Sequence, residues 1–206
     1  MKIAVIGAGA IGGLVGARLA LAGEEVTFIV RGANLAAIRT DGIKLIEMDG
    51  EEKVASNVRA TDNYDAAGEQ DLVILALKAH QVDGVSAQIG KLFGPRTVVV
   101  TMQNGIPFWY FHRHGGEFDG RTVHSVDAGG ELARRIPPER VLGCVVYPAA
   151  ELVAPGVIRH IEGVRFPLGE LDGTASERVA AVSACFQNAG FKSPVLDNIR
   201  AEIWLK

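Results

Sequence analysis

The sequence predicts an α/β fold built on a doubly wound, mainly parallel sheet. Short apolar runs at 2–6, 25–30, 71–77 and 97–101 read as buried strands. Helical patterns fall between these runs, the alternation that parallel crossovers require. A glycine-rich turn, Gly7-Ala8-Gly9-Ala10-Ile11-Gly12, joins the first strand to the first helix.

The first helix is expected from Ala10 to Ala22. Ile11, Val15 and Leu19 recur every four residues, Gly12, Gly16 and Ala20 form a smooth neighbouring face, and Gly23 supplies a stop. A short helix from Asn34 to Arg39 follows the second strand. Between Gly42 and Val58, the apolar Ile43, Leu45 and Val54 flank Asp49-Gly50, which predicts a hairpin excursion. A helix from Val82 to Phe93 separates the next two strands. Phe111 to Arg140 holds Gly115-Gly116, Gly129-Gly130 and Pro137-Pro138 and reads as a long loop or a set of short elements.

Strands resume at 141–147, 157–161 and 164–168. Thr174-Ala175-Ser176-Glu177 reads as a capping box opening a helix to Ala189, with Gly190 ending it. Phe191 to Leu196 fits one more short strand. Asp197-Asn198 then opens a last helix that runs to Lys206. That helix meets no Gly, Pro or cap, so a further domain is expected beyond it.

Composition excludes several classes. Of 206 residues, 48% are hydrophobic and 22% charged, so a packed core is expected rather than disorder. A formal net charge of −3 leaves no electrostatic footprint for nucleic acid or an anionic membrane. No apolar stretch reaches the ~18 residues of a membrane span, and the opening run is too short for a signal peptide. Cys144 and Cys185 lie in apolar segments and read as buried thiols of a reducing compartment, so a cytoplasmic location is expected. His112 and His114 lack a third ligand nearby, so no metal is expected. Trp109-Tyr110-Phe111 reads as a local hydrophobic anchor.

A G-x-G-x-x-G pattern is weak alone but specific between a strand and a helix. Gly7 permits the tight turn, Gly9 lets the backbone approach a pyrophosphate, and Gly12 allows close helix–strand packing. The helix N-terminus adds oriented N–H groups and a positive dipole end. Gly7, Ala8, Gly9, Ala10, Ile11 and Gly12 are therefore the expected dinucleotide grip. An NAD site places an acid at the end of the second strand; here Arg31 stands there. A guanidinium can hold a 2′-phosphate through charge-assisted hydrogen bonds, so NADP(H) is favoured over NAD(H).

Lys78 follows the third strand and Asn104 the fourth, at the carboxyl edge where open α/β sheets bind ligands. Spacing alone leaves each open between a site residue and an ordinary loop residue. Lys206 shares a helix face with Ile199 and Ile203, so it either snorkels out or is partly desolvated, which would lower its pKa towards that of a useful acid.

Several separated motifs then agree. KIAVIGAGAIGG, VRG at Arg31, LKAHQ at Lys78, QNGI at Asn104, VLGCVVY, PGVIRH…LGE and NIRAEIWLK at Lys206 stand in one order. In that ordered set the chain resembles the ketopantoate reductases (2-dehydropantoate 2-reductases) over all 206 residues. The resemblance implies an NADP-binding Rossmann-type domain over residues 1–196, with 197–206 the first helix of a helical domain. Lys78 and Asn104 would lie near the nicotinamide and substrate, Ala149 beside the cofactor, and Lys206 would be the proton donor. The implied reaction reduces a small 2-oxo acid with NADPH, ketopantoate to pantoate, on the route to pantothenate and coenzyme A. The segment 108–138 is longer and more aromatic than in the shortest family members, and the family's downstream Asn, Ser and Glu lie past Lys206. A reductase of another 2-oxo acid and a non-catalytic NADP(H) sensor are the alternatives; homodimerisation is left open.

Overall fold

The first apolar run, Lys2–Ile6 (β1), is buried on both faces, with Ile3, Ala4 and Val5 wholly inaccessible to solvent. Such a strand can only be central. The computed structural model describes residues 1–206 and places β1 in the middle of a seven-stranded sheet. Its other strands are Glu25–Ile29 (β2), Arg59–Thr61 (β5), Gln70–Leu75 (β6), Phe93–Thr101 (β7), Val141–Cys144 (β8) and Leu168–Glu170 (β11). The order is β5-β2-β1-β6-β7-β8-β11, with every pair parallel except β8 and β11. From β1 the chain winds outward to β2, later crosses back to β6, and so opens a switch-point crevice at the carboxyl ends of β1 and β6.

A second, four-stranded sheet lies apart from the first. It comprises Ile43–Ile46 (β3), Glu52–Ala55 (β4), Ala149–Ala154 (β9) and Val157–Glu162 (β10), in the order β4-β3-β10-β9. The helix after β1, Ala10–Leu21 (α1), packs between the two sheets. Gly12 and Gly16 face the large sheet: a β-carbon on Gly12 would stand 2.8 Å from the Ala76 Cβ, and one on Gly16 2.5 Å from the Phe28 Cε1. Gly13 faces the small sheet, where a β-carbon would stand 2.6 Å from the Ile158 Cγ1. Leu14, Val15, Ala17 and Leu19 have no exposure at all, and of residues 12–20 only Arg18 is partly exposed, so the helix is covered on nearly every side. The remaining helices are Gly32–Asp41 (α2), Tyr64–Ala67 (α3), Ala79–Ile89 (α4), Glu131–Arg135 (α5), Glu177–Asn188 (α6) and Ile199–Leu205 (α7).

The expected first helix, the β3–β4 hairpin, the irregular 111–140 segment and the last helix are all present. Other expectations are corrected. The strand expected over 141–147 ends at Cys144, because beyond it the Val146 N–H is taken by the Asn104 side chain rather than by a strand. The edge strand β9 was not expected; most of it is exposed on both faces, so it carries no alternation to read. Of the strand expected over 164–168 only Leu168 is in one, as the first residue of β11, and no strand covers 191–196. These segments meet at two isolated bridges, and Pro167 and Pro194, which have no N–H to donate, interrupt any ladder. The capping box is not formed: Ser176, not Thr174, caps α6, its Oγ accepting from the Val179 N–H, and Glu177 is already helical. The helix expected from Val82 starts at Ala79, and the strand expected from Thr97 starts at Phe93. The short β5 and α3 also escaped the sequence pattern.

The packing of α1 makes a paired prediction. Ala has a helix propensity ~1 kcal/mol better than Gly, so Gly84→Ala, on an open stretch of α4, should stabilise by about 0.5–1 kcal/mol. Gly16→Ala should instead destabilise by about 1–3 kcal/mol through overpacking against Phe28. Urea denaturation of both variants checks the sign of each change.

Candidate active site

The loop between β1 and α1 is shaped by two different demands on glycine. Gly7 adopts φ +96°, and a β-carbon there would approach the Leu77 Cδ2 to 2.7 Å, so both backbone and space exclude a side chain. Gly9 is different. It caps α1 at φ −74°, which any residue adopts, and a β-carbon on it would meet nothing within 4 Å. No contact inside the chain requires glycine there; the open space lies over the helix N-terminus. The first N–H groups of α1 have no carbonyl within their own helix, and no acidic residue occupies its first turn. That is a cradle for an anionic group brought close to the backbone. Ala8 is buried beneath it, and Ala10 and Ile11 are half-buried. Asn34 on α2 fixes the loop from the side: its Nδ2 donates to the Ala8 carbonyl at 3.2 Å, while its Oδ1 accepts from the Gly156 N–H at 3.0 Å.

Arg31 follows β2 at the N-cap of α2, and Lys78 follows β6 at the N-cap of α4. Both are exposed, and neither side chain enters an ion pair. Two cations therefore stand uncommitted at the carboxyl edge of the large sheet. Gln103, at the end of β7, ties that edge together, with its Nε2 donating to the carbonyls of Leu75 and Leu77 at 2.7 and 2.9 Å.

Asn104 is the next residue. Its amide pairs in both directions with the Val146 backbone: Nδ2 donates to the carbonyl at 3.3 Å, and Oδ1 accepts from the N–H at 3.2 Å. Gly105, at φ +95°, turns the chain away immediately afterwards. Lys206, more than a hundred residues later, donates from Nζ to the same Val146 carbonyl. The two side chains singled out for chemistry thus converge on one oxygen. Burial holds the Lys206 ammonium below the ordinary lysine pKa of 10.5, with Cys144 acting weakly in the other direction.

Helix α7 delivers Lys206 to that place. Asn198 caps it, with Oδ1 accepting from the Ala201 N–H at 3.0 Å. Ile199 seats against Gly143 and Gly169, where a β-carbon on either would come within 2.9 Å of it. Arg200 donates to the carbonyls of Tyr110, His112 and Leu171 at 2.6, 2.5 and 2.5 Å, clasping the aromatic segment to the helix. Glu202 is buried and accepts from Arg165 and, at 2.8 Å, from the Tyr147 hydroxyl. Arg165 accordingly draws the Glu202 carboxyl below its usual pKa.

Sequence reasoning missed Gln103, Asn34, Tyr147, Arg165 and Glu202. Glu202 had a legible signal, standing three residues after Ile199 and four before Lys206 on the inner face; the others are set by tertiary packing. Ala149 opens β9 in the small sheet, three residues past Val146, rather than lying on the large sheet's edge with the other candidates. An apolar recess beside Asn104 is lined by Val82, Ile106, Pro107, Phe108, Val126 and Leu132. Trp109 is the expected anchor, 1% exposed, with Nε1 donating to the Thr101 hydroxyl at 2.9 Å. Burial pushes the Cys185 thiol up to about 12 and raises Cys144 as well, so neither is a poised nucleophile. No three His, Cys, Asp or Glu side chains gather as a metal site, and no helix is long and apolar enough to cross a membrane.

Known proteins share this sequence and fold. The family model described as Ketopantoate reductase PanE/ApbA matches residues 3–173. A 2-dehydropantoate 2-reductase of Mesorhizobium japonicum is 52% identical over the whole chain, which covers 63% of that protein. A solved structure from Ralstonia solanacearum superposes with a TM-score of 0.94 at 45% identity, over 99% of this chain and 63% of that one. The 2-dehydropantoate 2-reductase of Geobacter metallireducens superposes with a TM-score of 0.82 at 26% identity, over 99% and 60% respectively. The chain thus spans about three fifths of the length of these relatives. It belongs to the ketopantoate reductase PanE/ApbA family.

Proposed function

We propose that the chain is the cofactor-binding part of an NADP(H)-dependent reductase of a 2-oxo acid, ketopantoate in the simplest case. The convergence of Asn104 and Lys206 on the Val146 carbonyl, at the sheet edge that also bears the open Gly9 cradle, carries this reading. The residues present fit a dinucleotide. Gly7 to Gly12 would receive the pyrophosphate, Arg31 and Lys78 are uncommitted cations for a 2′-phosphate or its neighbours, and Ala149 is a looser candidate at the margin. In this reading residues 1–196 form the NADP-binding unit and 197–206 begin a helical unit that completes the substrate site.

When bound, reduced nicotinamide supplies a hydride to the keto carbon. The chain's own residues handle the charge that results. Lys206 as an ammonium donates its proton to the developing alkoxide oxygen, and Asn104 orients the carbonyl through its amide N–H. A lysine with a lowered pKa gives up that proton more readily than an exposed one. The product is a 2-hydroxy acid, pantoate when the substrate is ketopantoate, and in this reading a cytoplasmic protein serves pantothenate and coenzyme A supply.

Two measurements on the full-length protein test this reading. Arg31→Ala should weaken NADPH binding by roughly tenfold to a hundredfold and leave NADH binding nearly unchanged. Equal weakening of both, or of neither, removes Arg31 from the phosphate site. Lys206→Ala should lower kcat for ketopantoate by about a hundredfold or more with little change in NADPH affinity. It should also abolish a decline in kcat on the alkaline side, since the ammonium is lost as pH rises through a pKa below 10.5. A near-normal kcat in this variant ends the proton-donor assignment.

A further inference from the structure

Glu202 on α7 and Lys206 at its C-cap stand four residues apart with the acid nearer the N-terminus, the favoured orientation for a helical ion pair. Yet they do not pair. The Glu202 carboxylate is committed elsewhere, to the Arg165 guanidinium and the Tyr147 hydroxyl, and Lys206 turns instead to the Val146 carbonyl. Both cations also meet the Tyr147 ring: the Arg165 guanidinium carbon and the Lys206 Nζ each stand 4.9 Å from its centroid. Against Lys206 itself stand the Cys144 thiol on β8 and the Tyr147 ring, and Arg165 before β11 and Glu202 on α7 connect to it through Tyr147.

We propose that Arg165 and Tyr147 are positioning residues that divert Glu202 from Lys206, leaving the ammonium without a carboxylate partner on the Val146 carbonyl that it shares with Asn104. The physical reason is competition for one carboxylate. A guanidinium and a phenol together satisfy Glu202 at a distance from Nζ, so the local helical pair is not formed. Without that diversion, the lysine would be drawn back along its helix, and its proton would be held more tightly by the adjacent negative charge. An aromatic face under Nζ supports the cation without accepting its proton. This inference deepens the proposed role of Lys206 and rests on it for its catalytic consequence, though not for the geometry.

The test uses Arg165→Leu, chosen because the Arg165 side chain is 39% exposed and its loss leaves no buried charge but Glu202. In the full-length protein with 13Cε-labelled lysines, NMR titration should show the Lys206 pKa rising by about half a unit or more in this variant. The double variant Arg165→Leu/Glu202→Gln should return it to the wild-type position. Turnover should follow, with kcat lowered roughly tenfold by the single change, part of the range open to a general acid, and restored by the second, while KM for NADPH stays level. An unchanged Lys206 titration in Arg165→Leu overturns the proposal. So does a rise that persists in the double variant, because Arg165 would then act on Lys206 by its own charge. If the titrations behave as expected but Lys206→Ala retains normal turnover, the diversion stands and the proton-donor reading fails instead.

Discussion

Helix α1 lies between two sheets, and the rest of the structure depends on how closely both can approach it. Gly12 and Gly16 admit the large sheet on one side, and Gly13 admits the small sheet on the other. A side chain at any of these positions would force one layer away. Because the helix is clamped on both sides, its N-terminus is held at the end of β1, beside the switch point where β6 begins its own loop. The small sheet contributes more than cover: the turn between β9 and β10 reaches Asn34, and through it the Ala8 carbonyl of the glycine loop. Helix packing and loop geometry are thus one constraint.

The candidate site is assembled from distant stretches of chain by the same economy. Asn104 arrives just past β7, the Val146 carbonyl just past β8, and Lys206 at the end of α7, and the carbonyl is the shared acceptor that registers the other two. A bifurcated arrangement of this kind fixes two donors without satisfying either fully. Both amide and ammonium keep hydrogens free to turn towards a substrate oxygen. The electrostatics are equally spare. Arg31 and Lys78 carry no partner at the sheet edge, Lys206 carries no carboxylate, and the one acid nearby, Glu202, is occupied by Arg165 and Tyr147. Cations free at one edge favour an anionic ligand there.

Much of the fold was legible in the sequence because its strong signals are local. β1, the glycine turn, α1 and the buried β6 follow from apolar runs and small-residue spacing, and the hairpin from Asp49-Gly50. What escaped was set by contacts between remote segments. β9 is an exposed edge strand, and β8 stops early because a side chain, Asn104, takes the backbone position that a strand would have used. Of the candidate site, Gly7 to Gly12, Arg31, Lys78, Asn104 and Lys206 could be proposed from motif and resemblance. Their mutual geometry could not. Tyr147 and Arg165 acquire meaning only once α7 has docked, since nothing in their local sequence announces a shared carboxylate.

The most direct measurement concerns Gly9, the one loop glycine with no structural duty inside the chain. Gly9→Val places a side chain in open space at an ordinary backbone conformation, so the urea midpoint should match the wild type. NADPH binding, followed by nicotinamide fluorescence, should fall by roughly a hundredfold or more, because the pyrophosphate could no longer reach the backbone of α1. A stable Gly9→Val protein that binds NADPH as tightly as the wild type would contradict the assignment of this crevice to a dinucleotide.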